Sequence, residues 1–132
     1  MNAFRVLIID DEPLARAMVS GLLREDPEVK SIVECEDGSE VREAIERVQA
    51  DIVFLDVEMP GVDGTKIASD LSVEDPVIVF VTAHGKYATL AFDIRAADYV
   101  LKPFTDRRFR EAVRRAKERV LARRSRDQER RA

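Results

Sequence analysis

The chain has 132 residues, of which 45 % are hydrophobic and 36 % charged, and a formal net charge of −4. That composition suits one folded domain and excludes an intrinsically disordered chain. No apolar run reaches the ~18 residues of a membrane span and no secretory signal opens the sequence, so a cytoplasmic protein with no membrane partner is expected.

The first apolar run, FRVLII over 4–9, reads as a strand and leads into Asp10, Asp11 and Glu12. Pro13 suits the first turn of a helix. Leu14, Met18 and Leu22 recur every four residues beside Ala17 and Gly21, and predict that helix's apolar face. Asp26-Pro27 marks a turn before the strand VKSIVEC over 29–35, which carries the single cysteine, Cys35, read as a buried inert thiol. Asp37-Gly38 is a second turn. Val41, Ala44, Ile45 and Val48 then follow helical spacing.

DIVFL over 51–55 is a continuous apolar strand closed by Asp56. Pro60-Gly61 and Asp63-Gly64 mark turns, and Ile67, Ala68 and Leu71 predict a weaker helix over 64–71. VIVFVT over 77–82 is another fully apolar strand. Tyr87, Leu90, Ala91 and Ile94 predict a fourth helix, and DYVL over 98–101 a fifth strand. Thr105 can cap the last helix, whose core face is Phe109, Ala112, Val113, Ala116 and Val120.

This alternation predicts an α/β fold, a (βα)5 doubly wound five-stranded parallel sheet with both faces covered. Ligands of such sheets bind beyond the C-terminal strand ends, where the strand order reverses. Asp10, Asp11, Asp56, Thr82 and Lys102 all stand at strand ends. If strands one and three are neighbours, three carboxylates share a crevice. Like charges repel there, and a hard divalent cation with oxygen ligands, Mg²⁺, is the usual remedy.

Simpler readings compete at several positions. Glu12, and with it Asp11, could merely complement a helix dipole. His84 is the only histidine, and a solvated loop residue is the simpler reading. Residues 105–132 hold 12 Lys/Arg and 5 Asp/Glu, giving +7 against −11 for residues 1–104. With no aromatics to stack on bases in its last stretch, that basic segment reads as a solvated helix rather than a nucleic-acid surface.

DDEP after the first strand, FLDVEMPGVDG after the third, VTA at the fourth and DYVLKPF at the fifth occur in this order over residues 4 to about 120. In these motifs the chain resembles the receiver domains of bacterial two-component response regulators. VTAHGKYATLAFDIRAADYVLKPF is most similar to the LytR/AlgR type, whose receivers usually precede a LytTR DNA-binding domain. The resemblance implies a flavodoxin-like, CheY-like sheet of order 2-1-3-4-5. It implies that Asp56 is the phosphoacceptor for a sensor histidine kinase. Asp11, Asp56 and the Glu58 backbone carbonyl would bind Mg²⁺, with Asp10 acting through water. Lys102 and Thr82 would contact the phosphoryl group, and Tyr99 would be an aromatic switch. Glu58 and His84 would border the point of water attack and tune the phosphoryl lifetime. Lys102-Pro103 would be a cis peptide.

The expected division is a receiver over 1–120 and a basic helix end or linker over 121–132, cut before an output domain that alone would touch DNA. A phosphorylation-dependent homodimer is expected through the face of the fourth helix, fifth strand and fifth helix, with Asp93 and Asp98 meeting arginines of the other copy. The competing enzyme reading is a Mg²⁺-dependent phosphohydrolase with an aspartyl nucleophile. That class wants a second Asp two residues on, where this chain has Glu58. A nucleotide-binding module fails for want of a glycine-rich phosphate loop.

Overall fold

A computed structural model describes residues 2–59, 62–63, 66 and 76–131. The expected helix over 64–71 lies outside the described residues, apart from Lys66. The elements are β1 (Phe4–Ile9), α1 (Pro13–Arg24), β2 (Val29–Cys35), α2 (Val41–Val48), β3 (Ile52–Leu55), β4 (Glu58–Met59), β5 (Val62–Asp63), β6 (Val77–Thr82), α3 (Ala88–Asp93), β7 (Asp98–Leu101) and α4 (Asp106–Arg131).

Five strands form one sheet in the order β2-β1-β3-β6-β7, and every pairing in it is parallel. This is the expected sheet. The difference is β4 and β5, a two-residue antiparallel ladder between β3 and β6 in the chain that stays outside the sheet. It falls on the turn-rich stretch after Asp56.

Strand alternation sends side chains to two cores. Phe4, Val6 and Ile8 meet Val19 and Leu23 of α1 and Phe109, Ala112, Val113 and Ala116 of α4. Leu7 and Ile9 meet Val41, Ala44 and Ile45 of α2 and Ala91 of α3 on the other face. Phe109 anchors the first core between Phe54 and Phe104, at centroid distances of 5.2 and 5.4 Å. Cys35 is only half-buried, at the edge of the second core.

The apolar face of α1 is not the expected one. Leu14 is 86 % and Met18 53 % exposed, while Val19, Ser20 and Leu23 are buried. The helix carries apolar residues around most of its circumference, so periodicity leaves two adjacent stripes open. The sheet accepts the stripe one residue further along.

Helices α2 and α3 end alike. Gln49 (φ 56°) and Arg95 (φ 60°) take left-handed conformations, and the N–H groups of Ala50 and Ala96 return to the carbonyls of Ile45 and Ala91. These are helix-terminating turns built without the usual glycine. The Thr105 hydroxyl accepts from the Arg108 N–H at 3.0 Å and caps α4.

Helix α4 runs 26 residues, about 39 Å at 1.5 Å per residue, well beyond the sheet it covers. No structural break falls at residue 120. Val120 is buried, and Arg124 lies 5.1 Å over the Phe4 ring, donates to the Ala3 carbonyl at 3.0 Å and pairs with Asp51 at 3.2 Å. The basic segment continues the helix that carries the core face as far as Arg131.

Candidate functional site

Strands β1 and β3 are hydrogen-bonded neighbours, so the residues that follow them emerge side by side. Asp10 and Asp56 are 3 % and 4 % exposed, and one carboxylate oxygen each from Asp10, Asp11 and Asp56 fall within 4.8 Å of one another. The backbone builds this crevice. The Asp56 N–H donates to the Ile9 carbonyl at 3.0 Å, and the Glu12 N–H donates to Asp10 Oδ1 at 2.9 Å. The Glu58 N–H donates to Asp56 Oδ1 at 3.0 Å. Each buried carboxylate is thus aimed by an amide two residues on.

Lys102 enters from the end of β7. Its backbone N–H donates to the Thr82 carbonyl at 2.8 Å, and the Lys102-Pro103 peptide is cis. Lys102 Nζ donates to Asp10 Oδ2 at 2.7 Å, Glu12 Oε1 at 3.0 Å and Asp56 Oδ2 at 3.1 Å. Glu12 therefore serves the ammonium and makes no side-chain cap to its helix. Burial alone would lower the Lys102 pKa. The hydrogen bonds to Asp10 and Glu12 and the charges of Asp56 and Asp10 outweigh it, and the amine stays cationic with a raised pKa. Burial also pushes the Asp10 carboxyl up, and the Asp56 charge adds to the rise; the Lys102 and Glu12 hydrogen bonds oppose without cancelling.

The donor set fits Mg²⁺. It is all oxygen, anionic and clustered, whereas softer metals call for nitrogen or sulfur. One ammonium among four carboxylates, those of Asp10, Asp11, Glu12 and Asp56, leaves an excess of negative charge for a cation to neutralise.

Thr82 is fully buried, and its Oγ1 accepts a long 3.4 Å contact from the His84 N–H. His84 is not a lone solvated residue. Its Nε2 lies 2.7 Å from Glu58 Oε2, while Glu58 Oε1 accepts from Lys86 Nζ at 3.0 Å and from the Tyr87 hydroxyl at 2.8 Å. Tyr87 first, then Lys86, hold the Glu58 carboxyl below the usual glutamate range. Tyr99 packs edge-on against Phe80 at 5.9 Å, and its hydroxyl donates to the His84 backbone carbonyl.

Two further groups escaped the sequence reading. Arg16 Nη1 donates to the Asp10 carbonyl at 2.6 Å and faces Glu34 and Glu36 at 3.7 and 3.8 Å. Its place one turn after Glu12, beneath a strand end, was the available signal. Lys86 and Tyr87 join the site through Glu58, 28 and 29 residues away in the chain, and no local pattern reveals that.

Asp98 does not offer itself to a second copy. Arg108 grips it with two nitrogens at 2.9 and 2.8 Å, and Arg115 adds a third contact at 3.1 Å. Its side chain is 7 % exposed. The expected intermolecular partner is thus spent within the chain, because the N-terminal half of α4 lies directly against the start of β7.

The family model described as the response regulator receiver domain matches residues 6–114. The chain is 43 % identical over 111 residues to the transcriptional regulatory protein LytR of Staphylococcus aureus, covering 83 % of this chain and 45 % of that protein. The chain spans about half the length of the curated relatives it matches. The crystal structure of the response regulatory domain of mrkE from Klebsiella pneumoniae superposes with a TM-score of 0.82 at 29 % identity, over 89 % of this chain and 98 % of that one. The response regulator TrrA from Thermotoga maritima, solved in complex with Mg²⁺ and BeF, gives a TM-score of 0.74 at 30 % identity, over 88 % and 99 % of the two chains.

Proposed function

The chain belongs to the response regulator receiver domain family, and from that premise we propose that Asp56 accepts a phosphoryl group from a sensor histidine kinase and that the face of α3, β7 and α4 relays its presence to an output. The observation that carries this is the meeting of Asp10, Asp11, Asp56 and Lys102 at one end of the sheet. The output is transcription, exerted by a DNA-binding segment of a longer cytoplasmic regulator, and the receiver itself need not touch DNA.

Phosphoryl transfer asks the protein for position and charge rather than bond-making. An Asp56 carboxylate oxygen forms the new P–O bond while the donor's P–N bond breaks and its imidazole nitrogen recovers a proton. The Glu58 N–H holds the other oxygen, Oδ1, and so fixes the direction of attack. Lys102, already against Asp56 Oδ2, turns its ammonium to a phosphoryl oxygen as negative charge accumulates. The Thr82 hydroxyl donates to another. Asp11, Asp56 and the Glu58 carbonyl, with Asp10 acting through water, would hold Mg²⁺, which would supply the remaining charge neutralisation. His84 and Glu58 flank the mouth of the site and tune how fast water reaches the acyl phosphate. A phosphorylation-dependent homodimer remains part of this reading, with Asp93 rather than Asp98 as the acid free to take part.

The hydrolase alternative loses ground at Glu58. A general acid must arrive protonated, and this carboxyl is held ionised by Tyr87 and Lys86. Incubation with acetyl phosphate and Mg²⁺, followed by intact-protein mass measurement, tests the proposal. One lasting phosphoryl increment, absent from Asp56→Asn, is the expected result. Rapid multiple turnover of phosphate esters, or labelling of Asp56→Asn at the wild-type rate, overturns it.

A further inference from the structure

Glu58 is tied at both ends. Its N–H holds the Asp56 carboxylate. Its own carboxylate holds three groups of the segment leading into α3, namely the His84 imidazole, the Lys86 ammonium and the Tyr87 hydroxyl. The same segment, through the His84 carbonyl, holds the Tyr99 hydroxyl. A continuous chain of polar contacts therefore runs from Asp56 through Glu58 and His84 to Tyr99, on the surface side of Thr82.

We propose that the Glu58 side chain is a tether that holds the His84–Tyr87 turn and Tyr99 in the resting arrangement, and that it is a second route, beside Thr82, by which occupancy of Asp56 reaches the α3–β7 face. The inference rests on the phosphoacceptor reading above and adds a route to it. Charge placed on Asp56 disturbs the Oδ1 contact to the Glu58 N–H. The Glu58 backbone then shifts, and its carboxylate can no longer meet all three partners at once. Release of the turn moves the His84 carbonyl, and Tyr99 loses its hydroxyl acceptor. Thr82 contributes in parallel from inside. Its hydroxyl already contacts the His84 N–H, so both routes converge on one residue.

Linkage sets the sign. Contacts that stabilise the unoccupied arrangement oppose binding at Asp56, and removing them favours it by the same factor. The three Glu58 contacts are partly exposed, so each is weak on its own. Together they predict a coupling of about fivefold in affinity, at the lower end of the usual range.

The chain has two tyrosines and no tryptophan, so 3-fluorotyrosine labelling gives two ¹⁹F resonances, assigned with Tyr87→Phe and Tyr99→Phe. Beryllofluoride with Mg²⁺, a phosphoryl mimic, supplies its own ¹⁹F lines when bound. In the wild type, binding is expected to move the Tyr99 resonance. In Glu58→Ala the Tyr99 resonance is expected to sit near the bound position before any addition, and beryllofluoride to bind about fivefold tighter. Glu58→Gln keeps an acceptor for Tyr87 while losing its charge for His84 and Lys86, and is expected to fall between. A merely structural role for Glu58 would weaken binding, not tighten it. If Glu58→Ala binds beryllofluoride with wild-type affinity and leaves Tyr99 at its wild-type resting position, the tether is wrong and the phosphoacceptor reading stands. If wild-type protein binds no beryllofluoride, both fall together.

Discussion

Lys102 neutralises the crevice, and replacing it with methionine isolates that service because the side-chain length survives and the charge does not. Nζ touches Asp10 at 2.7 Å and Asp56 at 3.1 Å, with the lysine side chain 12 % and both aspartate side chains 5 % exposed. Stranding a buried charge by deleting its partner costs ~3–5 kcal/mol. Glu12, 59 % exposed, turns to water and adds little. Protonation caps the cost, since the Asp10 carboxyl is already pushed upward by burial, and each pH unit below its folded pKa recovers about 1.4 kcal/mol. We expect Lys102→Met to lose about 3 kcal/mol at pH 7.5 without divalent cations, a fall of roughly 10 °C in Tm for a domain of this size. The sign with pH follows from linkage. A carboxyl whose folded pKa is raised binds more protons folded than unfolded, so the variant recovers stability as pH falls through the raised folded pKa toward the ordinary 3.8. Urea and thermal unfolding from pH 7.5 down toward 3.8 measure both effects, and millimolar Mg²⁺ should restore more stability to the variant than it adds to the wild type. A loss under 1 kcal/mol at pH 7.5, or a gap that does not narrow as the pH is lowered toward 3.8, would show that water solvates the two aspartates adequately and refute the reasoning.

Millimolar Mg²⁺ should raise the wild-type Tm, by about 2.7 kcal/mol of stability at a hundred times its dissociation constant; differential scanning fluorimetry should find most of that rise missing in Asp11→Asn. Gly21 lies inside α1, and nothing stands within 4 Å of an added Cβ, so Gly21→Ala should stabilise by about 1 kcal/mol, read as a higher urea midpoint. Burial pushes the Asp98 carboxyl up, but its hydrogen bonds to Arg108 and the Tyr99 N–H and the arginine charges win, and the folded pKa lies below the ordinary 3.8. Its contribution is therefore complete above that pH and lost as pH falls below it toward the folded value. Asp98→Asn should cost about 1–2 kcal/mol at neutral pH, since both arginines are over a third exposed, and the difference from wild type should shrink in acid unfolding curves as pH falls below 3.8.

Local and one-dimensional information decided much of this protein. Short apolar runs rich in Val and Ile at 6–9, 52–55 and 77–81 read as strands buried on both faces, and the long connections between them call for a parallel sheet. The acids and the lysine follow strands directly, and every strand of a parallel sheet ends at the same edge. Asp10, Asp56 and Lys102 were therefore placed at one edge of the sheet as soon as the strands were recognised, and the adjacency of β1 and β3 brings the two aspartates together. Periodicity could not choose between two adjacent stripes on α1, because Leu14 and Met18 are as apolar as Val19 and Leu23. That choice belongs to the sheet, which takes the stripe facing Phe4, Val6 and Ile8. The pairing of Asp98 with Arg108 and Arg115 depends on how α4 lies across the start of β7, and an arginine-rich helix offers many equal candidates on paper. The Glu58 cluster joins residues from two strand-end segments whose approach is set by the whole sheet and left no trace in local spacing. Strand identity and the parallel sheet follow from short-range hydrophobicity and chain connectivity, while the order β2-β1-β3-β6-β7 was implied by the family resemblance and is seen in the packed sheet. Side-chain partners across the site follow from where rigid elements come to rest, and only the packed tertiary structure decides that.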